Sequence, residues 1–372
     1  MSGALPEGPV RALGMMSGTS LDGVDVALIE TDGVTVSGFG PWLTTPYPDD
    51  LRTRLRAVIE GRDGREDAER ALTAFHADAA EALLAEAGVH RDEVAVAGFH
   101  GHTVRHDPDA GFTDQIGDGA ALARRLGIDV VNDFRSNDVA AGGQGAPLVP
   151  LFHAALARRS GLAAPLAVLN LGGVANVTWI GGPVDEDLMA FDTGPGCALI
   201  DDWVRRKTGA ALDRDGRLAR SGRVDYGALD TLLAHPYFDA LPPKSLDRNA
   251  FDPAPVSGLS AGDGAATLVA FTAEAVRRAL AHMPVAPLRW LVSGGGRHNP
   301  ALMAALAERL GVPCDAVERV GWQGDALEAQ AFGYLAVRSR RGLALSLPRT
   351  TGVPRPVSGG VFHPRSSRRR AM

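Results

Sequence analysis

The sequence has little lysine, and no lysine follows a Gly-rich loop as P-loop nucleotide-binding proteins require. Lysine occurs only at Lys207 and Lys244 in a chain of 372 residues. Neither residue completes a GxxxxGK[ST] pattern, so a P-loop enzyme is excluded. No loop between a strand and a helix reads GxGxxG, which also excludes a dinucleotide-binding Rossmann domain.

Cysteine and long apolar runs are also scarce. Cys197 and Cys314 cannot form a disulfide framework, which favours a reducing, cytoplasmic location. No apolar run approaches the roughly 18 residues of a membrane span, and no apolar stretch of the signal-peptide type precedes the first predicted strand at Leu13. The formal net charge of −6 argues against a dedicated nucleic-acid binder. We therefore expect neither a nucleic-acid nor a membrane partner.

Glycine, in contrast, is abundant, and four polar Gly loops each follow an apolar strand. The loops are SGTSLDG (17–23), NLGGVAN (170–176), DTGPG (192–196) and SGGG (293–296). The first two lie inside similar strand–loop–strand segments, and helices alternate with strands after each. This repetition predicts a duplicated α/β fold with a cleft between its halves.

The Gly loops have two interpretations. A single one is most simply a structural turn, whereas four in one duplicated plan favour a ligand. Backbone N–H groups bared by glycine bind phosphate oxygens well, as do helix N-termini such as the one predicted after Gly196. Asp22, the carboxylate of the first loop, could orient a hydrated Mg²⁺ ion beside phosphates.

Two further acidic residues are candidates for chemistry. Asp192 ends the predicted strand LMAFD just before a helix, where it can act as a general base or merely cap the helix. Glu328 lies on a predicted helix among small residues and faces either a cleft or the solvent. Cys197 lacks a nearby base that would activate a thiolate, so we expect a small buried residue.

A histidine-bearing stretch, GFHGHTVRHD, follows the predicted strand VAVAGFHG. Alternation places His100 and His102 on one strand face, as in HxH metal sites. No second ligand cluster completes such a site, so polar substrate contacts or structural hydrogen bonds are favoured. Arg135 either binds an anionic substrate group or forms a surface ion pair with Asp133 or Asp138.

Taken together, the motifs resemble those of the anhydro-N-acetylmuramic acid kinases, which belong to the ASKHA (actin/hexokinase-type) phosphotransferase superfamily. The resemblance runs from about residue 13 to 363. It rests on GMMSGTSLDGVDVAL, HGHTVRH, QIGDGAALA, DFRSNDVAAGGQGAPLVPLFH, NLGGVANVT, FDTGPG, PPKS, GGGRHNP and DALEAQAF. It implies two actin/hexokinase-like (ribonuclease H-like) α/β domains: residues 1–150 completed by 345–363, and residues 151–344. Residues 364–372 are expected to form a flexible tail.

The resemblance also implies a reaction, in which ATP and water convert 1,6-anhydro-N-acetylmuramic acid into N-acetylmuramic acid 6-phosphate during recycling of cell-wall peptidoglycan. Asp192 would be the base that activates water, and Glu328 would help to hold the sugar. ATP would be held with Mg²⁺, for which Asp22 is the expected residue. The nucleotide-binding residues would be Gly18, Thr19, Ser20, Leu21, Asp22, Gly23, Val24, Asp25, Gly172, Gly173, Asn176, Gly194, Gly196, Gly294, Gly295, Gly296 and Asn299. The sugar contacts would be His100, Gly101, His102, Thr103 and Arg135.

This sequence departs from the family pattern at several positions. The family usually has Gln at the position of His102, commonly Ser at Phe99, and Asn at Cys197. The alternatives are therefore an ASKHA-fold kinase for another sugar or a carboxylic acid, or a non-catalytic nucleotide-binding sensor. A sensor without turnover is less favoured because Asp192 and Glu328 are both present. The sequence leaves the oligomeric state open, with a homodimer as one arrangement.

Overall fold

The structure is a computed structural model that describes residues 4–18, 21–247 and 249–365. The strands are β1 (Val10–Met16), β2 (Gly23–Thr31), β3 (Val36–Pro46), β4 (Val96–Phe99), β5 (His102–Asp107), β6 (Phe112–Ile116), β7 (Val130–Asn132), β8 (Leu166–Leu171), β9 (Val174–Ile180), β10 (Leu188–Pro195), β11 (Trp290–Ser293), β12 (Cys314–Ala316) and β13 (Val361–His363). The helices are α1 (Asp49–Ile59), α2 (Arg65–Ala87), α3 (Gly119–Leu126), α4 (Ser136–Ala140), α5 (Pro150–Arg159), α6 (Ala198–Thr208), α7 (Arg217–Ser221), α8 (Tyr226–Leu233), α9 (Ala261–Arg278), α10 (Pro300–Leu310), α11 (Leu327–Arg340) and α12 (Pro348–Thr351). Part of the predicted tail, 366–372, lies outside the described residues.

The chain forms two compact units, and their sheets share one topology. Unit 1 comprises residues 1–159 and 326–372, and unit 2 comprises residues 160–325. The sheet of unit 1 has the order β13-β7-β4-β1-β2-β3, and that of unit 2 has the order β10-β9-β8-β11-β12. In each sheet the unit's first three strands are antiparallel neighbours, and two parallel strands continue beside the first. This duplication confirms the prediction of two actin/hexokinase-like α/β domains.

Each unit buries its own apolar core beside its sheet. In unit 1, side chains of β1 and β2 pack with those of α2 and α3, including Leu13, Leu72 and Leu122. In unit 2, β8, β9 and β11 pack against α6 and α9, with Trp203 and Phe271 among the largest fully buried side chains. No helix in the described ranges is both long and apolar enough to cross a membrane.

The predicted strand VAVAGFHG is wrong at its end. Strand β4 stops at Phe99, and β5 begins at His102 in a separate two-stranded sheet with β6. Gly101 turns the chain between them with a φ of +72°, a conformation that favours glycine. His100 and His102 therefore do not share one strand face. Strand β3, which the sequence did not predict, contains two glycines and ends in a proline, as tolerated at a sheet edge.

Helix α11 lies in unit 1, although residues up to 344 were predicted to belong to the second domain. The helix packs unusually close to the sheet because β1 and β4 present glycines to it. A Cβ atom on Gly14 would lie 1.7 Å from the carbonyl oxygen of Ala329, and one on Gly98 would lie 2.0 Å from that of Phe332. The predicted domain ends, 150 and 344, thus differ from the ends of the compact units.

Replacing Gly14 with alanine should therefore destabilise the protein. The added methyl group has to displace helix backbone, and we expect a loss of about 3 kcal/mol in the free energy of unfolding. Urea unfolding followed by circular dichroism measures the change. Gly258→Ala is the control, because a Cβ atom on Gly258 would meet nothing within 4 Å. Equal unfolding midpoints for the two variants would contradict the close packing of α11.

Candidate active site

Asp192 lies within β10 near the edge of the unit 2 sheet. Its Oδ2 accepts a hydrogen bond of 2.8 Å from the backbone N–H of Leu246, and its own N–H donates to the carbonyl oxygen of Lys244 at 3.0 Å. The hydroxyl of Tyr237 donates to the carbonyl oxygen of Asp192 at 2.6 Å. Asp192 does not cap α6, whose N-cap residue is Cys197. The alternative of a simple helix cap is thus excluded.

The environment of Asp192 favours proton transfer near neutral pH. Burial disfavours the charged carboxylate and raises its pKa to about 7, against the opposing effects of the Leu246 N–H and the Lys244 ammonium group. Lys244 donates to the carbonyl oxygen of Tyr237 at 3.0 Å and lies 3.4 Å from Nε2 of His282. A carboxyl group that titrates near neutrality is suited to act as a general base.

A row of polar residues crosses the unit 2 sheet at the level of Asp192. Asp192 in β10 is paired with Asn176 in β9, which is paired with Asn170 in β8, which is paired with Ser293 in β11. Directly paired residues project their side chains to the same face of a sheet. Oδ1 of Asn176 is buried and has no hydrogen-bond partner among the described residues. The row therefore presents polar groups beside Asp192 from three neighbouring strands.

The Gly loops of unit 2 contact one another directly. The N–H groups of Gly196, Cys197 and Ala198 donate to the carbonyl oxygens of Gly172 and Gly173 at distances of 2.7–3.2 Å. A Cβ atom on Gly196 would lie 2.2 Å from the Gly172 oxygen, so this approach requires glycine. The neighbouring loop therefore occupies the N–H groups of residues 196–198, and the prediction that this loop contacts phosphate stays a prediction for the rest of the first turn of α6.

The other glycines of unit 2 that were predicted to bind nucleotide fall into two groups. Gly172, Gly173 and Gly295 have space around them, since a Cβ atom on any of the three would meet nothing closer than 3.4 Å. Gly194, Gly294 and Gly296 are packed, with neighbouring atoms within 2.8 Å of such a Cβ. Gly294 is also held by Arg297, which donates to its carbonyl oxygen at 2.9 Å and pairs with Glu318 and Asp325.

Asn299 has a clear local role. Its Oδ1 accepts hydrogen bonds from the N–H groups of Ala301 and Leu302, at 3.0 and 3.2 Å, and so caps the first turn of α10. Cys197 is partly buried, and burial raises the pKa of its thiol to about 12, in agreement with the prediction that it is not a nucleophile.

The first Gly loop connects β1 to β2 in unit 1. Thr19 and Ser20 lie outside the described residues. Leu21 has a φ of +59°, and its N–H donates to the carbonyl oxygen of Gly18 at 3.2 Å, so the chain turns sharply here. The side chains of Leu21 and Val24 are buried in the core of unit 1, which leaves their backbone for any ligand contact. Asp22 is exposed.

Two residues at the end of this loop take part in the contacts between β2 and β3. Gly23 begins β2 opposite Pro46, and a Cβ atom on Gly23 would lie 2.3 Å from the carbonyl oxygen of Thr45. Asp25 accepts a hydrogen bond of 2.5 Å from the hydroxyl of Thr44. The loop thus combines an exposed carboxylate at Asp22 with residues fixed by strand pairing.

Arg135 contacts a histidine instead of forming a surface ion pair with Asp133 or Asp138. Its Nε and Nη2 lie 3.2 and 3.0 Å from Nε2 of His100, and its Nη1 donates to the carbonyl oxygen of Gly145 at 2.7 Å. Burial lowers the pKa of the guanidinium to about 10, and the negative charge of Glu328 opposes this effect. Arg135 remains charged at neutral pH and can therefore attract an anion.

The structure does not assemble a metal centre from the histidines. Nδ1 of His100 lies 3.0 Å from the carbonyl oxygen of Gly101, and its Nε2 contacts Arg135. His102 is fully buried, and its Nδ1 lies 2.8 Å from the hydroxyl of Ser17. Within the described ranges, no group of three His, Cys, Asp or Glu side chains could hold a metal ion. Thr103 follows His102 in β5 and is partly buried.

Comparison with known proteins identifies the relatives of this chain. The sequence profile of the anhydro-N-acetylmuramic acid kinase family matches residues 10–365. The chain belongs to this family. The anhydro-N-acetylmuramic acid kinase of Rhodospirillum rubrum is 60% identical over 96% of this chain and 95% of the relative. That of Paramagnetospirillum magneticum is 58% identical over 95% of this chain and 99% of the relative.

Similarity to solved structures is weaker. Component A of (R)-2-hydroxyglutaryl-CoA dehydratase from Acidaminococcus fermentans is 13% identical with a TM-score of 0.49, covering 89% of this chain and 99% of that one. A hexokinase from Thermus thermophilus is 20% identical with a TM-score of 0.37, covering 88% and 100%. The predictions of the family and of kinase activity are confirmed by the family match, and a kinase uses ATP.

Some residues around the candidate site could not be found from the sequence. Lys244, Tyr237 and the N–H of Leu246 surround Asp192 but lie 45–54 positions away along the chain. The motif PPKS marked the neighbourhood of Lys244 without indicating its role. Ser17 is the first residue of the first Gly loop and is hydrogen-bonded to Tyr47, and the sequence gave no indication of this contact.

The charge of Lys244 should set the pH at which Asp192 ionises. Activity that depends on ionised Asp192 falls as the pH drops below about 7. Replacing Lys244 with methionine removes a positive charge that favours the carboxylate, so the pKa of Asp192 rises and the acidic limb of the pH–activity profile moves upward by about half a unit.

The control for this prediction is Lys207→Met, because Lys207 is the other lysine of the chain and lies over the ring of Trp203 instead. Its pH profile should match that of the unaltered protein. Profiles of kcat/KM for ATP-dependent activity are measured between about pH 5 and 9, a range that brackets the expected titration. An unshifted or downward-shifted limb in Lys244→Met would contradict the electrostatic coupling.

Proposed function

We propose that the protein phosphorylates 1,6-anhydro-N-acetylmuramic acid and opens its anhydro bridge in the same reaction. The substrates are the sugar, ATP and water, and the products are N-acetylmuramic acid 6-phosphate and ADP. The reaction would take place in the cytoplasm, where ATP is present, during recycling of cell-wall peptidoglycan. The observation that carries this proposal is the partly buried Asp192 carboxyl group, whose pKa of about 7 suits a general base.

In the proposed mechanism, Asp192 removes a proton from water. The water oxygen forms a bond to C1 of the sugar, and the bond between C1 and O6 breaks. The released O6 attacks the γ-phosphorus of ATP, and ADP leaves. The hydrogen bond from the N–H of Leu246 holds Oδ2 of Asp192 in place, which leaves Oδ1 to accept the proton. One carboxylate thus couples ring opening to phosphoryl transfer.

Nucleotide binding is assigned to the Gly loops. Residues 18–25 would contact the phosphates of ATP, and the open glycines Gly172, Gly173 and Gly295 would allow the nucleotide to approach the backbone. Exposed Asp22 fits a hydrated Mg²⁺ ion, since Mg²⁺ usually keeps several waters and takes one or two carboxylates. When bound, the ion would neutralise phosphate charge.

The sugar would be held by residues of unit 1. Arg135 is a suitable partner for the lactyl carboxylate, because its guanidinium is charged and fixed by His100 and Gly145. Glu328, in the first turn of α11, would accept hydrogen bonds from sugar hydroxyl groups. Phe99 and His102 are both fully buried, so we expect neither side chain to alter sugar preference by direct contact.

Replacement of Asp192 by asparagine should abolish turnover and leave ATP binding intact. Loss of a general base typically costs 10²–10⁴-fold in rate, and we expect about a thousandfold loss in kcat. Calorimetry should give an unchanged affinity for ATP. Asp230→Asn is the matched control, because Asp230 is an exposed carboxylate of the same unit. Turnover by Asp192→Asn at the normal rate would contradict the assignment of the base.

The reaction itself can be followed with isotopically labelled water. The protein is incubated with Mg-ATP and 1,6-anhydro-N-acetylmuramic acid in ¹⁸O water, and the products are fragmented by mass spectrometry. We expect one ¹⁸O atom in the sugar part of the 6-phosphate and none in its phosphoryl group. Unlabelled product incubated alone corrects for exchange of oxygen at C1. Absence of a sugar product, or ¹⁸O in the phosphoryl group, would contradict the proposed reaction.

A further inference from the structure

The loop between β1 and β2 is clamped by a tyrosine that follows β3. The N–H of Tyr47 donates to the carbonyl oxygen of Asp22 at 3.0 Å, and its hydroxyl donates to the hydroxyl oxygen of Ser17 at 2.5 Å. Arg52 donates to the carbonyl oxygens of Leu21 and Tyr47, both at 3.1 Å. Both ends of the segment 17–22 are therefore hydrogen-bonded to residues that follow β3.

The hydrogen bond to Ser17 continues into the histidine-bearing strand. Ser17 and Tyr47 are 2% and 3% exposed, and His102 is fully buried with its Nδ1 at 2.8 Å from the Ser17 hydroxyl. Because Ser17 accepts a hydrogen bond from Tyr47, its own O–H can donate to Nδ1 of His102. This direction places the ring proton of His102 on Nε2.

A second buried histidine has the complementary proton arrangement. Nδ1 of His76 lies 2.9 Å from the carbonyl oxygen of Leu72. A carbonyl oxygen only accepts, so Nδ1 of His76 carries the proton and its Nε2 is a free acceptor. Burial lowers the pKa of both rings to about 4, and each ring is therefore neutral at neutral pH. One ring thus offers an N–H donor and the other an acceptor.

Both of these Nε2 atoms are buried, and neither has a hydrogen-bond partner among the described residues. The two rings are also close enough for His102 to depress the pKa of His76. Buried polar groups in proteins are nearly always paired, either directly or through an ordered water. An open donor on one ring and an open acceptor on the other fit one buried water that would satisfy both atoms.

We propose that Tyr47, Ser17, His102 and His76 form a directed hydrogen-bond chain, closed by one water between the two histidines, that positions the loop 17–22 for ATP. The chain runs from the Tyr47 hydroxyl through Ser17 and His102 to His76 and ends at the carbonyl oxygen of Leu72. These are positioning residues, because they act on ATP through the loop. The proposal rests on the proposed function insofar as the loop is taken to bind the phosphates.

Nuclear magnetic resonance of ¹⁵N-histidine-labelled protein tests the chain directly. We expect His102 to carry its proton on Nε2 and His76 on Nδ1, with assignments made from the variants His102→Gln and His76→Gln. A His102 ring protonated on Nδ1 would overturn the proposal, because Ser17 could then not donate to it. This measurement needs neither ATP nor sugar, so its outcome is independent of the proposed function.

Substitutions test the positioning role. Ser17→Ala and His102→Leu each break the chain, and we expect the Kd for Mg-ATP to rise about tenfold, as for loss of a buried hydrogen bond. The KM for ATP should rise in parallel, with a smaller change in kcat. Glutamine offers both an acceptor and a donor, so His102→Gln should lose markedly less affinity than His102→Leu. Calorimetry and steady-state kinetics measure these differences.

Tyr47→Phe provides a variant that removes one hydroxyl group and little else. It should weaken ATP binding, whereas Tyr334→Phe, which removes another buried tyrosine hydroxyl from unit 1, should not. Equal ATP affinities for Tyr47→Phe, Tyr334→Phe and the unaltered protein would overturn the positioning role, as would equal losses for Leu and Gln at His102. Failure of the unaltered protein to bind Mg-ATP would instead contradict the proposed function.

Discussion

Desolvation of the Asp192 carboxyl group is the interaction on which the proposed chemistry depends. An exposed aspartate is fully ionised at neutral pH and is too weak a base to help water attack a sugar carbon. Burial raises the pKa of Asp192 to about 7, while the N–H of Leu246 and the charge of Lys244 keep the ionised form accessible. The balance between these effects makes the carboxylate a stronger base, and its ionised form is still populated at neutral pH.

Both units fix a loop at the same position in their shared topology. In each sheet a polar loop joins the first two strands, and the segment after the third strand fixes that loop. In unit 1, Tyr47 follows β3 and holds the segment 17–22 through its hydroxyl and its N–H. In unit 2, residues 196–198 hold Gly172 and Gly173 through backbone hydrogen bonds. Side chains take part in fixing the loop of unit 1, whereas the loop of unit 2 is fixed by backbone hydrogen bonds alone, at glycines that allow the two backbones to touch.

Much of the fold follows from local sequence. The first hairpin, the helix after Gly196 and the repeated strand–loop–strand pattern were predictable from apolar periodicity and glycine positions. The end of β4 at Phe99 was not predictable, because one positive φ at Gly101 moves the chain into another sheet. The packing of α11 on the sheet of unit 1 was also not predictable. In the sequence, strand glycines that allow a helix to pack closely cannot be distinguished from other strand glycines.

The candidate site was predictable only in part, for a related reason. Asp192 could be found because it stands in a recognisable motif at the end of a strand. The groups that tune it come from a segment about fifty residues later and meet it only through tertiary structure. The sequence also did not reveal that the carbonyl oxygens of Gly172 and Gly173 accept hydrogen bonds from the N–H groups of residues 196–198, which the Gly-loop prediction had left open to phosphate.

The most direct test of the role of Asp192 is a measurement of its pKa in the folded protein. The carboxyl carbon of ¹³C-labelled aspartate is followed by nuclear magnetic resonance as the pH is varied, and Asp192→Asn identifies the resonance by its loss. A midpoint near 7 agrees with a desolvated carboxyl group suited to activate water. A midpoint near the ordinary aspartate value of 3.8 would mean that Asp192 is an ordinary ionised side chain, and would contradict its proposed role.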